Sequence, residues 1–276
     1  LNIKRHLLPS ITLFIPQIAT QIYLVVNKTM LGSIVSVTSA GYFDQSDKIV
    51  KMVLAVVTAT GTVMLPHVAS AFANGQHEKT RTYLYKSFSF VTAVSVPMAF
   101  GLAAVSSKFV PLFFTKQFSA VTPLLMVESV VILFIAWSNV LGTQYLLPTK
   151  QTKQYTISVV LGAIVNVVLN VPLIIGWGAF GAVIATVSSE AVVMVYQVIV
   201  VKNQVSLNKL FMGTGEYFLA GLIMFFIVYF MNEILAVTWW MLISEVVCGA
   251  FIYLVLLVLF RAAIIKEAQN ILLKHK

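Results

Sequence analysis

Charged residues are scarce in this chain: they make up 10% of its 276 residues, whereas hydrophobic residues make up 59%. A soluble domain is closer to half apolar and a quarter charged. The mean hydropathy of +0.95 points the same way. The composition therefore excludes an ordinary soluble protein and indicates an integral membrane protein.

Cysteine and catalytic motifs are also scarce. The one cysteine, Cys248, excludes an intrachain disulfide, and the four scattered histidines offer no spacing for a metal site. The sequence has no Asp-x-Asp, no paired histidines and no Gly-x-Ser-x-Gly. We therefore predict that the chain is not an enzyme and uses neither a cofactor nor a metal.

Long apolar runs fill most of the chain. A helix needs about 20 predominantly apolar residues to cross the hydrocarbon core of a bilayer. Segments of this kind lie at roughly 8–26, 44–70, 84–106, 120–146, 155–175, 179–201, 216–235 and 239–260. The sequence predicts an all-α polytopic membrane protein with about eight transmembrane helices.

The basic residues are distributed unevenly between the two sides of these spans. Eight spans place both termini on one side, and if that side is cytoplasmic, 13 of the 18 Lys and Arg residues lie in inner segments. The exceptions are Lys28, Lys48, Lys51, Lys108 and Lys116. This asymmetry is the one that the positive-inside rule predicts, so we expect both termini to be cytoplasmic. The net charge of +9 then faces anionic lipid headgroups, and no nucleic-acid partner is needed to explain it.

Polar side chains form a stripe on each of the first two spans. Residues three or four apart share a helix face. The stripe of the second span includes Asp44, Asp47, Lys48, Lys51, Thr58 and Thr62. The stripe of the first span includes Gln17, Gln21, Asn27 and Lys28. Because an Asp or Lys at a helix centre costs about 2.5–3.5 kcal/mol on insertion scales, the two stripes predict the wall of a hydrophilic cavity.

A second interpretation of the same charges remains open. Asp44 with Lys48, and Asp47 with Lys51, are acid-first pairs four residues apart, the favourable order on a helix. The two pairs would then neutralise each other near the outer headgroups and have no further role. The quartet sums to zero charge, so an anion site would also need Lys28 or residues from elsewhere.

Further polar residues lie inside the other spans. They are Glu128, Asn139, Asn166, Asn170, Glu190, Gln197 and Glu245. Asn166 and Asn170 are one turn apart and are expected to bond between helices. Glu128 and Glu190 are the candidates for coupling to a proton or another cation.

Three stretches resemble a known family when they are taken together. They are VVNKTMLGSIVSVTSAGYFDQSDKIVKM, VMLPHVASAFANG and NVVLNVPLIIGWGAFGAVIATVSSE, which together cover much of residues 20–190. In order and spacing they resemble bacterial polysaccharide (O-antigen or capsule) repeat-unit flippases. That family belongs to a superfamily that also contains multidrug antiporters and the peptidoglycan lipid flippase. The family often has Asp where this chain has Asn27.

The resemblance implies a domain organisation. Members of the family have two six-helix lobes and two extra helices, so this chain is expected to be a carboxy-terminal fragment of such a protein. Residues 1–201 would form the second lobe and 202–260 two additional helices. Residues 261–276 would form a basic cytoplasmic tail, either an amphipathic helix on the inner leaflet or a topology signal.

The resemblance also implies a function: transport of an undecaprenyl-pyrophosphate-linked oligosaccharide across the plasma membrane of a bacterium by alternating access. The partners would be this lipid-linked oligosaccharide, membrane lipids, a polysaccharide polymerase and glycosyltransferases. Lys28, Lys48 and Lys51 would attract the pyrophosphate, and Gln17, Gln21, Thr58 and Thr62 would bond sugar hydroxyls. Two alternatives are a multidrug antiporter of the same superfamily and a non-transporting scaffold of a polysaccharide assembly complex.

Overall fold

The computed structural model describes residues 3–266, with the side chains of residues 3–13, 15, 17 and 22–24 excepted. Every regular element in this range is a helix, which confirms the all-α fold class. The α-helices are α1 (Ile3–Ile34), α2 (Val37–Thr58), α3 (Thr60–Ala73), α4 (His77–Phe113), α5 (Val121–Glu128), α6 (Val131–Ser138), α7 (Thr152–Val201), α8 (Leu207–Leu210), α9 (Thr214–Ile234) and α10 (Trp239–Leu259). A 3₁₀ turn covers Lys116–Phe118 and a π-helix covers Asn139–Leu146. Most of the predicted tail, residues 267–276, lies outside the described residues.

Several of these helices are long and apolar enough to span a bilayer. Among the described residues there are five such helices, or six if the bent pair α2 and α3 counts as one span. The five are His77–Phe113, Val121–Leu146, Thr152–Val201, Leu207–Ile234 and Trp239–Leu259. The chain is therefore a multi-pass membrane protein by length and composition, and the count of eight spans stays a prediction.

The 50-residue helix α7 is divided by Gly178, whose φ of 58° and ψ of −132° are not helical. Its two arms then run side by side. Ser158 bonds Gln197 at 2.9 Å, and Gln154 bonds Tyr196 at 2.7 Å. Pairs that converge on residue 178 from both directions define an antiparallel hairpin. The predicted spans 155–175 and 179–201 are thus the two arms of α7.

The polar stripe of the second predicted span is interrupted. That span, 44–70, is two helices that meet at Ala59 with a bend of 41°. Thr58 and Thr62 stand on either side of the bend, and each hydroxyl bonds a backbone carbonyl of its own turn. Hydroxyls bonded in this way are typical of bent membrane helices.

Helices α9 and α10 pack on α4 and on each other, and a buried ion pair joins α10 to α4. The Lys108 ammonium of α4 donates to the Glu245 carboxylate of α10, and the two side chains are 1% and 0% exposed. Asn232 of α9 donates to the second oxygen of Glu245 at 3.2 Å and accepts from Ser107 at 2.7 Å. Polar groups from three helices therefore satisfy one another inside an apolar core.

The outer faces of α9 and α10 are strongly apolar. Large side chains such as Ile234, Trp240, Phe251 and Leu259 are exposed. A face of this kind is unfavourable in water but suits contact with lipid chains. The surface therefore agrees with the composition in placing these helices in a bilayer.

Candidate functional site

Two lysines and an aspartate connect α1 to α2. Asp44 accepts from Lys28 of α1 through one carboxylate oxygen and from Lys48 through the other, the latter at 2.6 Å. Sequence patterning identified the Asp44–Lys48 pair, and the structure confirms it. The bridge from Lys28 is added by the packing of α1 on α2.

The second predicted pair is also present. Lys51 donates to Asp47 at 2.6 Å, with the lysine side chain 42% exposed and the aspartate 8%. With Lys28 included, three ammonium groups surround two carboxylates. The cluster of Lys28, Asp44, Asp47, Lys48 and Lys51, here called the charge cluster, therefore carries one net positive charge. All three lysines keep part of their side chains exposed.

Beside the charge cluster lies a cavity of about 230 Å³, here called the polar cavity. Its walls come from α1, α2, α6, the π-helix and both arms of α7. The lining residues are Thr20, Lys51, Ile135, Ser138, Asn139, Thr143, Tyr155, Val159, Gly162, Ser189, Glu190, Val193 and Gln197. Lys51 belongs to both the charge cluster and the polar cavity, so the two features are continuous.

Several of the predicted cavity residues with described side chains lie away from the polar cavity. Gln21 is exposed, Thr58 and Thr62 bond to their own helices, and Asn27 is completely buried. The side chain of Gln17 lies outside the described residues. Among the predicted substrate-cavity residues whose side chains the structure describes, Lys51 is the one that lines the polar cavity.

Asn27 forms a network of amides and hydroxyls with both arms of α7. Its amide nitrogen donates to Thr186 at 3.1 Å, and its oxygen accepts from Asn170 at 2.5 Å. Asn170 also donates to Asn166 at 2.8 Å, and Asn166 donates to Ser189 at 3.5 Å. The two asparagines of α7 bond between helices as their spacing predicts, and Asn27 attaches α1 to the hairpin.

The two acidic residues predicted for ion coupling occupy different surroundings. Glu190, 7% exposed, lines the polar cavity. Glu128, 1% exposed, lies at the end of α5, which packs on α2. Its Oε2 atom has no hydrogen-bond partner among the described residues. Their role in coupling stays a prediction.

Sequence reasoning missed the π-helix and its neighbours as part of the site. A π-helix adds a residue per turn and is frequent at functional sites. The packing around the π-helix leaves no space for a side chain at two glycines. A Cβ added to Gly61 would lie 2.9 Å from Asn139, and a Cβ added to Gly142 would lie 2.8 Å from Gln197. Asn139 and Gln197 were visible as polar residues inside apolar spans, whereas no signal singled out Ser138, Thr143 or Tyr155.

The described residues contain no group of three or more His, Cys, Asp or Glu side chains placed to hold a metal ion. The charge cluster offers charge attraction, and the polar cavity offers hydrogen bonding.

Comparison with known proteins finds similar sequences and similar folds. Residues 2–123 match a family model described as "Polysaccharide biosynthesis protein". Among curated proteins, the chain is 24% identical over 162 residues to the lipid II flippase MurJ of Bacillus subtilis strain 168. That match covers 56% of this chain and 29% of the relative.

Solved structures share the fold. The lipid II flippase MurJ in an inward closed conformation matches with a TM-score of 0.76 and 18% identity, covering 91% of this chain and 52% of that one. An outward-facing multidrug resistance transporter of the MATE family matches with a TM-score of 0.62 and 18% identity, covering 81% of this chain and 54% of that one. A MOP superfamily transporter from Pyrococcus furiosus gives 0.59 and 19%, with coverage of 81% and 54%.

The chain thus spans about half the length of the solved relatives that it matches. The resemblance seen in the sequence is confirmed to this extent: part of the chain matches a polysaccharide biosynthesis family model, and a curated lipid flippase and solved flippase and transporter structures are similar to it. These relatives are named as flippases or transporters and not as enzymes, which agrees with the prediction made from the sequence.

Proposed function

We propose that this chain forms the second transmembrane half of an exporter that moves an undecaprenyl-pyrophosphate-linked oligosaccharide across a bacterial plasma membrane for surface polysaccharide biosynthesis. The observation that supports this most is the charge cluster, where Lys28, Lys48 and Lys51 converge from two helices beside the polar cavity. A net positive charge near a low-dielectric interior attracts a pyrophosphate more strongly than the same charge in bulk water does.

Alternating access provides the mechanism. In this proposal the pyrophosphate contacts the charge cluster, the sugar lies in a hydrophilic space next to the second lobe, and the lipid chain stays in the bilayer. Rocking of one lobe against another then exposes that space to each side in turn. The proposal includes cytoplasmic termini, and a polysaccharide polymerase and glycosyltransferases as partners in the membrane.

The test is export in a bacterium whose surface polysaccharide depends on this protein. Lys48→Ala with Lys51→Ala is expected to abolish export, while Lys48→Arg with Lys51→Arg retains it because the charge is kept. Lys202→Ala with Lys209→Ala, two exposed lysines far from the cluster in sequence, is the matched control and should export normally. Normal export by the double alanine variant at wild-type membrane levels would rule the proposal out.

A multidrug antiporter is the second candidate function. Glu190 in the polar cavity favours it, because an acidic wall suits a cationic substrate. The match to a multidrug resistance transporter extends only to the fold. Drug efflux that is lost with Glu190→Gln or Glu128→Gln, together with unchanged polysaccharide export, would select this function.

Two further possibilities, ion coupling and a scaffold role, predict different results for substitutions in the site. If Glu128 or Glu190 couples transport to a proton or cation gradient, Gln at that position should uncouple export from the gradient. A non-transporting scaffold should tolerate every substitution in the charge cluster, provided the protein inserts normally. Export assays on the same variants distinguish these outcomes.

A further inference from the structure

We propose that a groove between α3 and α4, here called the lipid groove, binds one anionic phospholipid of the bilayer. In this proposal an acyl chain lies along the groove and the phosphate lies at its cationic end. Among the described residues, the lipid groove shares no lining residue with the polar cavity or the charge cluster. The inference therefore goes beyond the proposed function and does not depend on the substrate that the protein moves.

The walls of the lipid groove suit a hydrocarbon chain. Its volume is about 550 Å³, which lies within the range of about 300–1,000 Å³ that is typical of sites for drug-sized ligands. The apolar walls are Val63 and Met64 of α3, Phe90 and Val91 of α4, and Ile264 from the segment after α10. The hydroxyl of Thr60, at the end of the groove nearest the bend at Ala59, donates to the carbonyl of Val57. A site for a sugar or an ion has no need of so much apolar wall.

The rim of the lipid groove is open. Val63 and Phe90 both line the groove, and their side chains are 62% and 46% exposed. Helix α4 is one of the helices long and apolar enough to span a bilayer, and α3 belongs to the bent pair that counts as a further span. Large apolar side chains exposed on such helices suit contact with lipid chains. An acyl chain can therefore enter the groove without separating the two helices.

One face of α4 changes from cationic to apolar along its length. Lys79, Tyr83, Lys86 and Phe90 are spaced by four, three and four residues, so they share a face of the helix. Lys79 lies in the first turn of α4, and Phe90 lies about 16 Å further along the axis at a rise of 1.5 Å per residue. This order matches a phospholipid, whose charged headgroup lies at the membrane surface and whose acyl chain lies deeper.

Helix α3 has the matching change in the opposite chain direction. Val63 and Met64 line the apolar part of the groove, and His67 follows one turn later. The ring of His67 lies 5.9 Å from the ring of Tyr83, and the ammonium of Lys79 lies 5.9 Å from the centre of that same Tyr83 ring. The polar ends of the two helix faces therefore meet at one end of the groove.

The charge at this end favours an anionic headgroup. Lys79 and Lys86 are exposed, and long lysine side chains can reach a phosphate at the membrane surface while their stems stay on apolar surface. The neighbouring acid, Glu78, is paired with Arg81 at 2.6 Å. Basic residues near a membrane surface attract anionic lipids. The expected topology places this end of α4 at the cytoplasmic leaflet.

Native mass spectrometry of the purified protein released from detergent micelles tests the proposal, because it counts bound lipids. The probes are phosphatidylglycerol and phosphatidylcholine with identical acyl chains. We expect one phosphatidylglycerol to bind at least about fivefold more tightly than phosphatidylcholine, the factor that one basic residue at an anionic surface provides.

A substitution that fills the groove should remove the lipid. Val63→Trp places a large ring where the acyl chain is proposed to lie, and we expect the Kd for phosphatidylglycerol to rise at least about tenfold. Val168→Trp is the matched control, because Val168 of α7 is also 62% exposed and does not line the groove. The control should bind phosphatidylglycerol like the wild type.

A second pair of variants tests the headgroup without changing the groove walls by much. Lys79→Gln with Lys86→Gln should raise the Kd for phosphatidylglycerol at least about fivefold and leave that for phosphatidylcholine nearly unchanged. Lys153→Gln with Lys202→Gln removes the same charge from two exposed lysines outside the groove and should have little effect.

Three outcomes would overturn the proposal. The first is equal affinity of the wild type for the two phospholipids. The second is a phosphatidylglycerol Kd that neither Val63→Trp nor the double glutamine variant changes. The third is displacement of phosphatidylglycerol by an equal concentration of undecaprenyl phosphate, which would make the groove a site for a substrate chain. None of these results bears on the lysine test of export, so the two proposals can fail separately.

Discussion

Lys108 of α4 and Glu245 of α10 form an ion pair in which both side chains are almost fully buried, although they are 137 residues apart in the chain. Each partner makes the burial of the other tolerable. Removal of one leaves an isolated charge in an apolar core, which costs about 3–5 kcal/mol.

We expect Glu245→Leu to lower the free energy of unfolding by about this amount. The double variant Lys108→Met with Glu245→Leu should recover most of the loss, because no isolated charge remains. Unfolding of the purified chain by sodium dodecyl sulfate in mixed micelles measures both. A double variant as unstable as the single one would show that the pair itself, and not the isolated charge, governs stability.

Lys48 and Lys51 should differ in their effect on stability although they lie one turn apart. Lys51→Met leaves Asp47, which is 8% exposed, without its ion-pair partner and should cost about 1–3 kcal/mol. Lys48→Met leaves Asp44 still paired with Lys28 and should cost less than about 1 kcal/mol. The same unfolding assay compares the two, and equal losses would contradict the buried position of Asp47.

Gly178 should be restrictive because of its backbone conformation in the α7 hairpin turn. Its φ of 58° and ψ of −132° fall in a region that residues with a Cβ avoid, so Gly178→Ala should cost about 1–3 kcal/mol. Gly176→Ala is the matched control, since nothing lies within 4 Å of a Cβ placed there. We expect that control to be neutral or slightly stabilising, because alanine favours helix. Thermal unfolding of both variants checks the contrast.

Asn170 should contribute to stability through two bonds. Asn170→Leu removes the donor to Asn27 and to Asn166, with an expected cost of about 1–2 kcal/mol for interhelical bonds in a membrane protein. Asn74→Ala removes an asparagine from the exposed end of α3 and should change stability by less than about 0.5 kcal/mol. A cost for Asn170→Leu no larger than that of the control would argue against the network.

Local patterns predicted the parts of the site that depend on one helix. The pairs Asp44–Lys48 and Asp47–Lys51 follow from a spacing of four residues, and the structure contains both. Hydropathy likewise located the long apolar helices, because the bilayer fixes their length. Neither the ion pairs within α2 nor the positions of the apolar helices depend on how distant segments pack.

The polar cavity depends on that packing and was not predictable in the same way. Thr20, Asn139 and Gln197 come from three distant segments, and only their tertiary approach makes them neighbours. The bend at Ala59 and the π-helix at Asn139–Leu146 turn side chains away from the faces that a regular helix gives them. The prediction that Thr58 and Thr62 line the cavity assumed one unbroken helix. Because the helix bends at Ala59, that prediction did not locate the cavity.

The hairpin of α7 bears on how the chain enters the membrane during synthesis. Its two arms emerge from the ribosome one after the other, and each carries side chains that hydrocarbon penalises. Gln197 donates to Ser158 and Asn166 donates to Ser189 across the turn. Polar groups that are bonded in advance enter the bilayer at a lower cost than the same groups on separate helices. We therefore expect the two arms to enter the bilayer more favourably as a hairpin than as separate helices.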